Sequence, residues 1–343
     1  MDFLTRPILP ADASAMEKTQ SRLNNIAKPI GSLGELERAL IKIAGLQGSA
    51  DIDIKKRAVL AFCADNGVIR ENIAITPPHV TRAVAENMAR GMACVCLMGK
   101  VAHADVIPVD VGMFEPSSVA GVIQRRVRSG SHNITAGAAM TRDEAMQAIQ
   151  IGADMVIELA NQGYKLIAVG EMGVGNTTTS SAVCSVLLNR EPREVTGVGA
   201  GLSDEGLTRK IQTIERAIAV NAPDPDDALD VLMKVGGLDM AAMCGAFIGG
   251  AMARVPMLID GFISATAALV AVRLRPEVAI ALQPSHVSAE PAGALALSAL
   301  GLKPLITAGL RLGEGTGAVA AMPMLDMALM IYNNMMTFAE IGM

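Results

Sequence analysis

The chain has 343 residues, enough to bury a large core as one big domain or two of ordinary size. Its hydrophobic share is 51%, yet aromatics make up only 2% and tryptophan is absent. The core is therefore aliphatic and methionine-rich, and stacking platforms for single-stranded nucleic acid or sugars are not its main device. A net charge of -5 with acidic and basic residues interspersed gives no basic footprint for nucleic acid or an anionic membrane, local positive patches aside.

The first residues, Met1-Asp2-Phe3-Leu4-Thr5-Arg6-Pro7, lack a basic region followed by an apolar one and read as leaderless. Residues 13 to 48 carry Leu, Ile and Ala at helical spacing, broken at Lys28-Pro29-Ile30-Gly31-Ser32-Leu33-Gly34 by a hinge or turn. From Arg57 onward short apolar runs end in polar or glycine residues and lead into helical stretches. The strand candidates are Ala58 to Ala64, Asp105 to Val111, Leu166 to Glu171, Glu194 to Val198, Met257 to Asp260 and Val278 to Leu282. The longest apolar run, Met240 to Ala253, stops at Arg254, short of the roughly 18 to 20 residues of a spanning helix, and reads as a buried helix.

Near-continuous apolar strands alternating with helices indicate an α/β fold with a parallel sheet covered on both faces. The expected division is a small helical domain from residues 1–45 and 325–343 around a large α/β domain at 46–324. Cys63, Cys94, Cys96, Cys184 and Cys244 are odd in number, irregularly spaced and in apolar settings, so they read as reduced, buried thiols of a cytoplasmic protein. The four histidines are scattered singly with no second histidine or cysteine at i+3 or i+4, and no metal site or cofactor is expected.

In a parallel sheet ligands sit beyond the carboxyl ends of the strands, and polar and glycine-rich turns follow these runs. Gly170-Glu171-Met172-Gly173-Val174-Gly175-Asn176-Thr177-Thr178 opens a helix whose first amides and threonine hydroxyls suit a phosphate, the alternative being a capped helix without ligand. No Walker lysine or dinucleotide-binding acid accompanies it. Gly197 to Gly201 precedes a helix carrying Lys210, either a phosphate-binding point charge or a solvated helix residue. Ser288 and Glu290 complete an anion site or cap the next helix. In Arg311-Leu312-Gly313-Glu314-Gly315-Thr316-Gly317, Glu314 stands among glycines in an apolar region. It reads as a base whose proton affinity is raised by its surroundings, or as an exposed acid in a turn.

Taken with Ala64-Asp65-Asn66-Gly67-Val68, Val235-Gly236-Gly237-Leu238-Asp239, Leu258-Ile259-Asp260-Gly261-Phe262 and Ser285-His286-Val287-Ser288-Ala289-Glu290, these segments resemble, nearly end to end, the nicotinate-nucleotide:dimethylbenzimidazole phosphoribosyltransferases. The resemblance implies a Rossmann-like parallel sheet with a small helical domain from both chain ends. It implies transfer of the 5-phosphoribosyl group of nicotinate mononucleotide to dimethylbenzimidazole, with release of nicotinate, and a homodimer. By motif, Glu314 is implied as catalytic base. Gly175, Asn176, Thr177, Lys210, Ser288 and Gly315 are implied at the phosphate and ribose, and Thr76, Val84, Glu171, Met172 and Asn66 around the acceptor.

Two positions depart from the family pattern: Asn66 stands where the family has a histidine, and Val84 where a glutamine is expected. A less polar pocket would suit phenol or p-cresol, which part of the family uses as acceptor in a pair of paralogous chains. A nucleotide-binding subunit without turnover is the reading from another class. A nucleoside hydrolase fits poorly, since the usual aspartate cluster for a divalent metal is missing.

Overall fold

The computed structural model describes residues 3–342; Met1, Asp2 and Met343, on which the expectation of a leaderless start and the ends of the expected small domain fall, lie outside them. Helix α1 (Ala13–Asn25) opens on Asp12, whose carboxylate accepts from the Ala15 amide at 2.8 Å, a standard N-cap. The expected hinge follows. Lys28 Nζ reaches back to Glu37 of α2 (Glu35–Gln47) at 2.8 Å, and the same carboxylate oxygen accepts from the Leu33 amide at 3.0 Å. The turn is thereby locked by a buried ion pair whose acidic partner has a second donor, the condition under which burying charge is tolerated.

Six strands then build one parallel sheet in the order β3-β2-β1-β4-β5-β6. They are β1 (Arg57–Ala64), β2 (Ala104–Gly112), β3 (Ile123–Gln124), β4 (Leu166–Met172), β5 (Met257–Ile259) and β6 (Leu282–Pro284). The intervening helices are α3 (Val80–Ala89), α4 (Cys94–Ala102), α5 (Arg142–Asn161), α6 (Asn176–Leu188), α7 (Pro192–Val195), α8 (Asp204–Asn221), α9 (Ala228–Val235), α10 (Leu238–Ala253) and α11 (Phe262–Leu274). The last two are α12 (Ala292–Ala299) and α13 (Thr316–Asn334).

The alternation along β1 and β4 shows why both faces are covered. Ala58, Leu60, Phe62, Ile167 and Val169 belong to one apolar cluster with α5, α6 and α10. Val59, Ala61, Leu166 and Ala168 belong to a second cluster with α2, α4 and α13. Side chains two apart share a face, so an apolar run with no polar alternation is buried twice. The expected domain limits fall inside α2 and α13, and both helices contribute buried residues to the cluster that includes the sheet. The run at 240–253 lies in α10, and among the described residues no helix is long and apolar enough to cross a membrane.

Three expectations need correction. Glu194 to Val198 is not a strand: Pro192 sits in the first turn of α7, and Glu191 and Glu194 form a reciprocal capping box, so a helical turn ends at Val195. Val278 to Leu282 is a strand only at its end, because Pro276 starts a 3-10 turn to Ile280 before β6 begins at Leu282. Cys94 is exposed, since it occupies the first, outward-facing position of α4; the other four thiols are buried and all five are unpaired.

Candidate active site

Beyond the carboxyl ends of the strands lies a cavity of about 220 Å³. Its walls come from residues 73–76 and Val80, the turn after β4, the segment from Val198 to Leu202 with Lys210, the loop after β5, and the turn after β6. The segment Arg311 to Glu314 completes it.

One end is built for an anion. Gly175, in the left-handed region at φ +92°, precedes α6, and no side chain caps that helix start. Amides at such an N-terminus, left without a side-chain partner, favour a negatively charged guest. Lys210, on α8, is fully buried, and its Nζ donates to Thr177 Oγ1 at 2.9 Å and to the Gly197 carbonyl at 3.0 Å. The solvated-lysine reading therefore fails. Burial pushes its pKa down to about 8, with Glu290 opposing. Glu290 does not cap α12, which starts after Pro291. Its Oε1 accepts from the Gly199 amide at 3.0 Å, while its own amide donates to Ser288 Oγ at 3.3 Å. Arg311 closes this rim by donating to the Gly199 carbonyl at 3.3 Å.

The other end holds carboxylates. Glu314 has φ +62° between Gly313 at +88° and Gly315 at +96°. The other five non-glycine residues with positive φ each close a helix; Glu314 alone, among the described residues, stands just before one. Such a conformation costs a residue with a Cβ about 1–3 kcal/mol. Asp260, buried after β5, offsets it: Oδ2 accepts from the Gly315 amide at 3.2 Å and Oδ1 from the Ala318 amide at 3.0 Å. Burial disfavours the charged form of Asp260, with His286 opposing, so two hydrogen bonds at about 0.5–1.5 kcal/mol net each are of the same order as the strain. Glu314 Oε2 accepts from the Val95 amide at 3.1 Å, in the first turn of α4. Burial, with the charge of Asp260, still raises its proton affinity above that of an ordinary glutamate, the Val95 bond opposing.

Glu171, at the end of β4, is pushed up to about 8 by burial first and then by Asp239, Asp260 and Glu314, against the Asn176 side-chain amide that donates to it. Asp239 is pushed up to about 6, again chiefly by burial. Glu171 therefore holds its proton at neutral pH while lying against the Gly313 backbone.

The structure brings Thr76, Glu171, Met172, Gly175, Asn176, Thr177, Lys210, Ser288 and Glu314 to the same cavity. It does not bring Asn66, Val84 or Gly315 to its lining. Asn66 is fully buried behind the Gly175 turn, where its Oδ1 accepts from Thr179 Oγ1 at 3.3 Å. Val84 packs into the apolar cluster under α3, and Val80, one turn earlier on that helix, meets the cavity in its place. Gly315 is buried with its amide committed to Asp260, so it has no donor left for a phosphate. Asp260 and His286 line the cavity without having been assigned a role from sequence, as do Ile73, Ile75 and Val80 of the apolar wall. The first two stand in quoted motifs, which was the available signal; the wall carries none. Among the described residues no group of three or more acidic, histidine or cysteine side chains is placed to hold a metal ion.

A model of a phosphoribosyltransferase family matches residues 8–343. Curated relatives include the nicotinate-nucleotide–dimethylbenzimidazole phosphoribosyltransferase of Acetivibrio thermocellus, 46% identical over 325 residues, which are 95% of this chain and 93% of that one. The Escherichia coli protein of the same name is 44% identical over 329 residues, 95% of this chain and 92% of that one. The crystal structure of CobT from Thermus thermophilus superposes with a TM-score of 0.91 at 37% identity, covering 96% of this chain and 98% of that one.

Proposed function

The chain belongs to the nicotinate-nucleotide–dimethylbenzimidazole phosphoribosyltransferase family, and from that premise we propose how its cavity transfers the 5-phosphoribosyl group of nicotinate mononucleotide to dimethylbenzimidazole. The phosphate sits at the start of α6 with Lys210, Thr177 and Ser288. Glu314 takes the acceptor's proton as its ring nitrogen attacks C1, and nicotinate departs with the electron pair of the C1–N bond. The observation that carries this reading is that one cavity holds both a buried lysine at a helix start and a carboxylate of raised proton affinity.

The chemistry needs little more. C1 of the donor is bonded to a cationic pyridinium nitrogen, so the leaving group is already activated. Holding two reactants in line supplies roughly 7–11 kcal/mol in favourable cases, and a positioned base adds about 10²- to 10⁴-fold. Thr76, Ile73, Ile75, Val80 and Met172 offer a mainly apolar wall suited to a flat methylated base. The two departures from the family pattern, Asn66 and Val84, lie off the cavity lining, so they lend a phenolic acceptor no support. Release of nicotinate that depends on added dimethylbenzimidazole, followed by chromatography, tests the reading; release without acceptor or none at all counts against it.

The chain further reads as a dimer. Leu97 and Val101 of α4 and Met327 and Met330 of α13, two helices packed on each other, are all exposed and offer an apolar face to a second copy. Light scattering of the purified chain checks this. Its unpaired cysteines, Cys94 exposed among them, suit a reducing cytoplasm.

A further inference from the structure

We propose that Asp260 is the positioning residue of this active site: through the backbone amides of the turn after Glu314 it fixes where the base is held. The inference rests on the phosphoribosyl-transfer reading and extends it to a residue that need not touch either substrate's reacting atoms.

The geometry is specific. Asp260 follows β5 directly, its own amide donates to Ser264 Oγ at 3.1 Å, and it is almost fully buried. It therefore moves with the sheet and with α11. Both carboxylate oxygens are used on one target, the first turn of α13, at Gly315 and Ala318. Those residues lie 55 and 58 positions away in the chain, so the contact is not a local cap. Gly315, whose amide one of these bonds holds, is the residue next to Glu314. Without that hold, Glu314 loses the partner that keeps its backbone in the left-handed region, where a residue with a Cβ does not stay by preference. The side chain would then leave the Val95 amide.

Asp260 also acts through its charge. The titratable groups facing Glu314 are Asp260 after β5, Glu171 in β4 and Cys96 in α4, and His286 stands against Asp260 from beyond β6. Arg311, on the same loop as Glu314, is directed at the Gly199 carbonyl. The negative charge of Asp260 adds to burial in making Glu314 a stronger base.

The test is Asp260→Asn, nearly isosteric but uncharged, beside Asp260→Glu, which keeps the charge but displaces it. The wild-type chain must first transfer phosphoribose, which separates failure of the underlying reading from failure of this one. For Asp260→Asn the expected result is a kcat lower by about 10²-fold with a KM for nicotinate mononucleotide changed by less than about threefold. The acid limb of its pH–rate profile shifts to lower pH, because a weaker base stays deprotonated further down. For Asp260→Glu the expected result is a comparable loss of kcat with the acid limb retained. Full kcat in either variant overturns the proposal. So does an unmoved acid limb in Asp260→Asn, or, should that variant not fold, a shifted limb in Asp260→Glu.

Discussion

Glu314 accepts a hydrogen bond from the backbone amide of Val95, so the proposed base is held by the N-terminus of α4, 219 residues earlier in the chain. A glutamine at 314 keeps the same oxygen and the same bond, and only the capacity to take a proton is lost. Glu314→Gln is therefore expected to fold and to bind nicotinate mononucleotide within about twofold of the parent, while turnover falls about 10²- to 10⁴-fold. Calorimetry and steady-state rates check the two halves separately; unchanged turnover would remove Glu314 from the role of base.

In the proposed site Lys210 makes phosphate binding pH-dependent in a defined direction. Its pKa is about 8, lowered by burial. A phosphate beside it favours the charged form and draws that value upward. Above about pH 8 binding must take up a proton, so affinity for nicotinate mononucleotide falls as pH rises through that range. Calorimetry at about pH 9 in two buffers of different ionisation heat should show proton uptake, and Lys210→Met should abolish it while weakening binding by roughly tenfold or more.

Glu171 predicts a stability effect. Its folded-state pKa, about 8, lies above the ordinary glutamate value of 4.5. Between those limits the folded chain binds more protons than the unfolded one, so this residue's stabilising contribution is full below about pH 4.5 and is lost as pH rises toward 8. Glu171→Gln removes the titration. Its melting temperature relative to the parent should rise between about pH 5 and about pH 8; a constant difference across that range contradicts the assignment.

Gly170 lets the sheet lie directly under the turn that carries the proposed base. A Cβ there would overlap the Glu314 carbonyl oxygen, a backbone atom that cannot swing aside. Gly170→Ala should destabilise by about 1–3 kcal/mol and lower kcat through displacement of the turn. Denaturant unfolding and a rate measurement on the same preparation test both effects.

Much of this was open to reading in the chain, and the exceptions have physical causes. The central strands β1 and β4 are apolar on both faces and announce themselves, whereas β3 is two residues long and too short to leave a pattern. At Glu194 and Val278 apolar residues suggested strands, but a proline two residues upstream had already committed the backbone to a helical turn. Lys210 has the sequence surroundings of a solvated helix residue; what buries it is the Gly197 turn folding across α8, a tertiary event. The resemblance puts Asn66 and Val84 at the pocket, but Val84 stands one turn further along α3 than the cavity-lining Val80, and the Gly175 turn lies between Asn66 and the cavity. Asp260 was visible as an acid after a strand, while its partners at 315 and 318 could be known only from the fold.

The most direct test is a competition assay with the purified chain, nicotinate mononucleotide, and equal dimethylbenzimidazole and p-cresol, following nicotinate and both ribotide products by chromatography. The account predicts nicotinate release matched mole for mole by the benzimidazole N-riboside phosphate. A phenolic O-riboside phosphate as the main product, or no product with either acceptor, would contradict it.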